Sequence, residues 1–252
     1  MHVLLAVLVC AMRVSVIINV IIMTDFNVAG IVPISTVDWK GKSCMTIFFR
    51  NCNFNCIYCH NKDYLKGQSF LSFEEIKNEI NTSSMFIGSV IFSGGEATIQ
   101  KDLQLLIDYV KSKKLKVGIH TNGYDYDKIK MLNNVDKYFI DIKAPLANAE
   151  LYSKITSINV DINKIVETIK MIYNKGIDIE LRTTVFENLI STSDIREISK
   201  WISENVPNVE YVIQRGHNHI DKGVLIECTP AMCIILQQIA LEYIDNVSVR
   251  FG

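Results

Sequence analysis

The sequence predicts an α/β fold built on a parallel sheet, and two observations carry that prediction. From residue 43 onward, short β-rich runs alternate with helical stripes, the pattern of right-handed βαβ units. Six such units between residues 43 and 215 average about 29 residues each, near the size of one βα repeat. The strand candidates are residues 43–49, 89–93, 116–120, 137–142, 178–185 and 210–214. Each is rich in β-branched or aromatic residues and closed by polar residues or glycine. Between them, Ser72 and Glu75 form a capping-box signature ahead of Ile76 and Ile80. Leu103, Leu106, Ile107 and Val110 recur at helical spacing, as do Ile162, Ile165, Val166 and Ile169, a stripe that stops at Lys175-Gly176. Ile195, Ile198 and Ile202 mark a further helix halted before Pro207, and residues 230–243 and 247–251 add a last helix and a seventh strand candidate. Six strands fit a partial barrel or an open doubly wound sheet, and periodicity does not separate the two. In both, chemistry gathers where strands end at their C-termini.

Composition narrows the class. The chain has 252 residues, 49% of them hydrophobic, and a net charge of -1. That is enough apolar material for a real core, which excludes a disordered or collagen-like chain. No basic excess exists to displace counterions, so nucleic acid is not an expected partner. With 12 Gly and 4 Pro there is little linker material, and residues 24–252 are expected to form one domain that includes the last helix and strand. Residues 3–23 are nearly all apolar but carry Arg13 near the middle, a charge costing about 2.5–3.5 kcal/mol in a bilayer. No basic stretch precedes them, as a secretory signal requires. The segment 1–23 is therefore expected to lie outside the folded domain, and any membrane contact to run through it alone. Seven cysteines, three of them packed between Cys52 and Cys59, point to a metal in a reducing compartment, the cytoplasm, rather than to a disulfide framework.

Just past the first strand candidate comes Arg50-Asn-Cys52-Asn-Phe-Asn-Cys56-Ile-Tyr-Cys59-His60-Asn61. Three thiols at Cys-x3-Cys-x2-Cys spacing can converge on one metal centre. A [4Fe–4S] cluster normally takes four thiolates; here a fourth is missing locally, which leaves one iron open to a non-protein ligand. Zinc would need a fourth ligand, and His60 beside Cys59 is poorly placed to supply it. A dithiol of Cys56 and Cys59 leaves Cys52 unexplained, and three unrelated buried cysteines do not suit a polar loop.

This spacing matches the radical S-adenosylmethionine enzymes, and other motifs agree. Tyr58 stands before the last cysteine, and Ser93-Gly94-Gly95-Glu96 follows the second strand candidate as that family's Gly-Gly-Glu motif does. Residues 35–42, Cys59-His60-Asn61, His120-Thr121-Asn122-Gly123, Asp141-Ile142-Lys143-Ala-Pro145 and Arg182-Thr183-Thr184-Val185 together resemble the activating proteins of anaerobic ribonucleoside-triphosphate reductase. Wider kin include the activase of pyruvate formate-lyase. Two positions depart from that branch: Trp39-Lys40 stands where Tyr-Pro is usual, and Ala97 where Pro commonly follows the Gly-Gly-Glu.

The resemblance implies a partial (β/α)6 barrel of the TIM type with parallel strands. It also implies one [4Fe–4S] cluster held by Cys52, Cys56 and Cys59, which carry the catalytic metal, with S-adenosylmethionine chelating the open iron. Reductive cleavage of that sulfonium gives methionine and a 5′-deoxyadenosyl radical. The activity implied is that of an oxidoreductase activating a glycyl-radical enzyme, anaerobic ribonucleotide reductase, by taking hydrogen from one of its glycines. The electron would come from a one-electron donor such as ferredoxin or flavodoxin. Expected contacts to S-adenosylmethionine are Tyr58, Cys59, His60, Gly94, Gly95, Glu96, Thr121, Asp141, Ile142, Lys143, Arg182 and His217. Gly94 and Gly95 would let the backbone approach the ligand, or simply make a tight strand-to-helix turn. Tyr58 would offer a ring face to adenine or pack the loop. Arg182 suits a ligand carboxylate, with a surface salt bridge as the plain alternative. Asp141 and Lys143 alternate along a strand, so both point to one face. His120 is either a structural hydrogen-bonder or an actor, and Gln214 lies with His217 past the sixth strand candidate.

Cys10, Cys44, Cys228 and Cys233 are too scattered for a second cluster, and Cys44 and Cys233 read as small buried hydrophobes. Two other functions compete: radical chemistry on a small molecule, and a zinc-stabilised binding module without catalysis.

Overall fold

The computed structural model describes residues 24–218 and 224–251; the 1–23 extension and Cys10 lie outside them. Two strands lead. β1 (Asp25–Ser35) and β2 (Cys44–Phe49) pair antiparallel, and β3 (Phe70–Ser72) covers the start of the outer edge of β1. A short helix, α1 (Lys62–Leu65), lies between β2 and β3, and α2 (Phe73–Ser83) follows. The chain then alternates: β4 (Ser89–Gly94), α3 (Leu103–Ser112), β5 (Lys116–Thr121), α4 (Tyr126–Met131), β6 (Lys137–Asp141), α5 (Ala149–Thr156) and α6 (Ile162–Asn174), β7 (Asp178–Val185), α7 (Thr192–Asn205), β8 (Glu210–Arg215), α8 (Pro230–Leu241) and β9 (Val247–Arg250).

From β2 through β4 to β9 every neighbouring pair is parallel, and each strand lies beside its predecessor. A doubly wound sheet must reverse that order at a switch point. Here it never reverses, so the winding is that of a barrel. All six predicted strands are present, and the seventh candidate joins as β9. β1 escaped the sequence reading because Gly30 and Pro33 interrupt it and its second half is largely exposed, as edge strands often are.

Capping explains the helix boundaries. The Ser72 hydroxyl accepts from the Glu75 amide while the Glu75 carboxylate takes the Ser72 amide at 2.7 Å, closing the expected box. Ser191 and Asp194 do the same for α7. Gly176, at φ +69°, ends α6 as the helix stop predicts.

Two cores result. The larger lies between the helices and the outer face of the sheet, with Ile76, Leu106, Ile165 and Ile198 fully buried. The smaller joins Trp39, Cys44, Ile91 and Phe139. Trp39, on the loop from β1 to β2, meets Phe139 edge-on with centroids 5.5 Å apart. A Cβ on Gly118 would lie 2.9 Å from the Trp39 ring, so the glycine makes room for the indole against β5. Cys44 is fully buried, as its reading as a small hydrophobe expects.

Candidate functional site

The loop after β2 carries the three clustered cysteines, and hydrogen bonds tie it to the fold on three sides. Arg50 donates through Nη1 to the carbonyls of Tyr64 (2.7 Å) and Lys66 (2.8 Å). The amides of Asn55 and Ile57 donate to Thr156 and Ile155 at the end of α5. Asn122, past β5, donates through Nδ2 to the Asn53 side chain at 2.7 Å. The end of β4 packs on the start of the same loop. The amides of Gly95 and Glu96 each donate at 2.9 Å to the carbonyls of Phe49 and Asn51. A Cβ on Gly94 would lie 2.2 Å from the Phe49 oxygen, and one on Gly95 1.8 Å from that of Asn51. Gly94 also sits at φ +111°. The turn between β4 and the next helix therefore requires both glycines to be bare, whatever binds above them.

Cys52, Cys56 and Cys59 line one cavity of about 270 Å³ at the C-terminal ends of the strands. Its wall also holds Tyr58, His60, Gly94, Gly95, Glu96, Thr121, Asp141, Lys143, Arg182, Gln214 and His217. Of the expected contacts, Ile142 alone is absent from that wall. It is fully buried, and its amide donates to the Arg182 carbonyl at 2.7 Å. Its side chain faces away because neighbours on a strand alternate sides.

Several polar groups of this wall already have partners. Glu96 is buried; one carboxylate oxygen accepts from the Thr98 amide and hydroxyl, the other from the Asn122 amide at 2.8 Å. Burial pushes its carboxyl up, against those hydrogen bonds. It clamps the ends of β4 and β5 together. Thr121 accepts from the Gly123 amide. Lys143 donates to Asp141 at 2.7 Å, with its ammonium 5.6 Å from the centre of the Tyr58 ring. Burial pulls that ammonium down, but Asp141, Tyr58 and Cys56 outweigh it and hold its pKa well above the ordinary lysine value. The Tyr58 ring also packs on Phe186 at 5.6 Å, so much of it serves the loop. His217 Nε2 meets the Phe251 carbonyl at 2.7 Å.

Two groups are exceptions: the Tyr58 hydroxyl is buried with no hydrogen-bond partner, and Arg182 keeps one nitrogen free. Its Nε donates to Glu180 at 2.6 Å, its Nη1 reaches His120 Nε2 at 3.4 Å, and its guanidinium stacks 4.5 Å from the Phe139 ring centre. Its Nη2 is buried with no hydrogen-bond partner.

Residues 46–216, more than half of the chain, match the Radical SAM superfamily. The chain belongs to that superfamily. A Methanocaldococcus jannaschii protein named as a glycyl-radical enzyme activating enzyme is 34% identical over 88% of this chain and 95% of its own. Pyruvate formate-lyase 1-activating enzyme of Escherichia coli K12 is 29% identical over 74% of this chain and 78% of its own. Among solved structures, QueE from Escherichia coli aligns over 90% of this chain and 95% of its own with a TM-score of 0.56 at 14% identity. SuiB of Streptococcus suis, bound to S-adenosylmethionine, gives 0.57 at 16% over 80% of this chain and 45% of that one, under half its length. At such identities these structures share the fold, the partial TIM-type barrel.

Membership brings a [4Fe–4S] cluster and S-adenosylmethionine as cofactors, makes the chain an enzyme, and sets aside the zinc-stabilised binding module. The donor set fits. Among the described residues no three His, Cys, Asp or Glu side chains are grouped to hold a single ion. The three thiols line one cavity and are the donor type that a cluster held by thiolates takes. The cavity wall holds no further thiol among its lining residues.

Sequence reasoning missed several residues that shape this wall. Phe186 and Gly216 meet across it, since a Cβ on Gly216 would lie 2.2 Å from the Phe186 ring. Glu180 and Phe139 set the pose of Arg182. Only Glu180 left a signal: it stands two residues before Arg182, on the same face of the strand.

Proposed function

We propose that this chain is the activating protein of a glycyl-radical enzyme, with anaerobic ribonucleotide reductase as the partner. The observation that carries the reading is one cavity lined by three thiols, the Asp141–Lys143 pair and Arg182, whose Nη2 is unpaired. The match to the M. jannaschii protein along nearly its whole length supports the activase branch. The motifs at 120–123, 141–145 and 182–185 favour the reductase as partner.

In this reading Cys52, Cys56 and Cys59 hold the cluster and leave one iron for S-adenosylmethionine. When bound, the cluster supplies the electron that cleaves the sulfonium to methionine and a 5′-deoxyadenosyl radical, which removes hydrogen from the partner's glycine. The chain's own residues orient the ligand. Arg182 meets its carboxylate, for which a guanidinium has matching donors. Lys143 and Asp141, held as a pair, set the polarity of the wall beside Tyr58, and Phe186 and Tyr58 exclude water beside the cysteine loop. The electron arrives from a ferredoxin or flavodoxin. A reducing cytoplasm suits the six free thiols among the described residues.

Mixing the reduced, cluster-loaded protein with S-adenosylmethionine and anaerobic ribonucleotide reductase should give a glycine-centred electron paramagnetic resonance signal. Silence with the reductase but a signal with another glycyl-radical enzyme would reassign the partner. Silence with all of them, together with 5′-deoxyadenosine formed on a metabolite, would favour the small-molecule reading. That second reading draws on one relative named as a GTP 3′,8-cyclase, 27% identical over 64% of this chain.

A further inference from the structure

We propose that Glu180 and His120 are positioning residues that aim Arg182 at the carboxylate of S-adenosylmethionine. The inference rests on the reading of Arg182 given above and deepens it.

Three neighbours remove the freedom a long arginine normally keeps. Glu180 and Arg182 lie two apart on β7 and so share a face. His120, Phe139 and Glu180 stand in register across β5, β6 and β7. The Glu180 carboxylate takes Nε at 2.6 Å, His120 takes Nη1 at 3.4 Å, and Phe139 lies under the guanidinium plane. With those donors engaged, the plane of the fork is set and Nη2 remains. Arg182 is 6% exposed. A buried cationic N–H left without an acceptor is costly, and an incoming carboxylate removes that cost.

Glu180 is itself held from below. Its Oε1 also meets Arg250 at 3.3 Å, and Lys137 stands 3.3 Å from Oε2 and 3.1 Å from Glu210. Within this network Arg182, Lys137, Arg250 and the exposed Lys40, 3.8 Å from Glu210, face only Glu180 and Glu210, a positive surplus. Arg182, which lines the cavity, is where an anionic group can meet it. His120 completes the frame from the other side. Its Nδ1 lies 3.1 Å from the Ser93 hydroxyl, so with Nη1 donating to Nε2 the neutral tautomer carries its proton on Nδ1.

The proposal separates positioning from plain stability through ligand preference. Binding of S-adenosylmethionine and of decarboxylated S-adenosylmethionine is measured on cluster-loaded protein for wild type, Arg182→Gln, Glu180→Gln and the double variant. The readout is the affinity ratio, so no partner enzyme is needed. Arg182→Gln should cut the preference for the carboxylate-bearing ligand about tenfold or more, the worth of one charge-assisted hydrogen bond. Glu180→Gln should cut it several-fold with affinity for the decarboxylated ligand unchanged, and should add nothing in the Arg182→Gln background. Equal loss for both ligands in Glu180→Gln, or an undiminished ratio, overturns the positioning role while Arg182 keeps its own. An undiminished ratio in Arg182→Gln as well overturns the carboxylate reading with it.

Discussion

Burial pushes the Cys52 thiol up to about 12, and the nearby Glu96 carboxylate adds to it; Cys56 is raised too, again mainly by burial. Left to themselves these sulfurs are neutral thiols. Coordination by iron reverses that, because a metal-bound thiol is deprotonated outright, and loading therefore releases protons. The proposed ligand set is Cys52, Cys56 and Cys59, and with no spare thiol on the wall each of them would be needed. Cys52→Ala, Cys56→Ala and Cys59→Ala should each lose the brown colour and most iron and sulfide when quantified on anaerobically purified protein. A variant that keeps full iron content would remove that cysteine from the ligand set. At this scale the sequence was informative, because thiol spacing in one loop is local. The partners of Glu96 were not legible, since its hydrogen bonds to Asn122 and Thr98 depend on how β4 and β5 end side by side.

At the scale of elements, the loop between β1 and β2 does what no strand pattern announces. It carries Trp39 onto Phe139, Ile91 and Cys44, under the space where Arg182 and His120 stand. Trp39-Lys40 departs from the usual Tyr-Pro, and the structure gives the tryptophan a packing role against Gly118. Trp39→Ala should destabilise the fold by about 3–5 kcal/mol, the range for a truncated buried aromatic, read as a lower urea midpoint. A loss under 1 kcal/mol would mean that the small core tolerates an empty space. Helices whose apolar stripes were plain, α2, α3, α6 and α7, lie where the sequence puts them. The short α1, α4 and α5 were not read, because segments of four to eight residues hold too few apolar positions to set a period.

Across the whole molecule, buried charge couples stability to pH. Burial, Arg182 and Arg250 hold the His120 pKa well below the ordinary histidine value of 6.5. The folded protein thus keeps His120 neutral while the unfolded chain takes up a proton as the pH falls through that value. The unfolded state binds more protons, so stability is full above it and lost below it, by up to about 1.4 kcal/mol per pH unit. Urea unfolding at pH 7.5 and 5.5 should show this loss in wild type and a smaller one in His120→Asn. An equal slope in both would mean that His120 is protonated in the folded state. Glu180 adds a similar dependence at lower pH: burial opposes its ionisation, but Arg182, Lys137 and Arg250 overcome it and hold its carboxyl below the ordinary value.

The sequence by itself determined the alternation of strands with the longer helices, the capping box at Ser72 and the stop at Gly176, and the residues delivered to the strand ends. Those properties follow from local backbone periods and from chemistry within a few residues. Tertiary structure decided the rest. The sense of winding follows from strand order, which periodicity does not encode. The partners of Arg182 were decided there too, since His120 lies 62 residues away in the chain and meets it only because β5, β6 and β7 pair in one register.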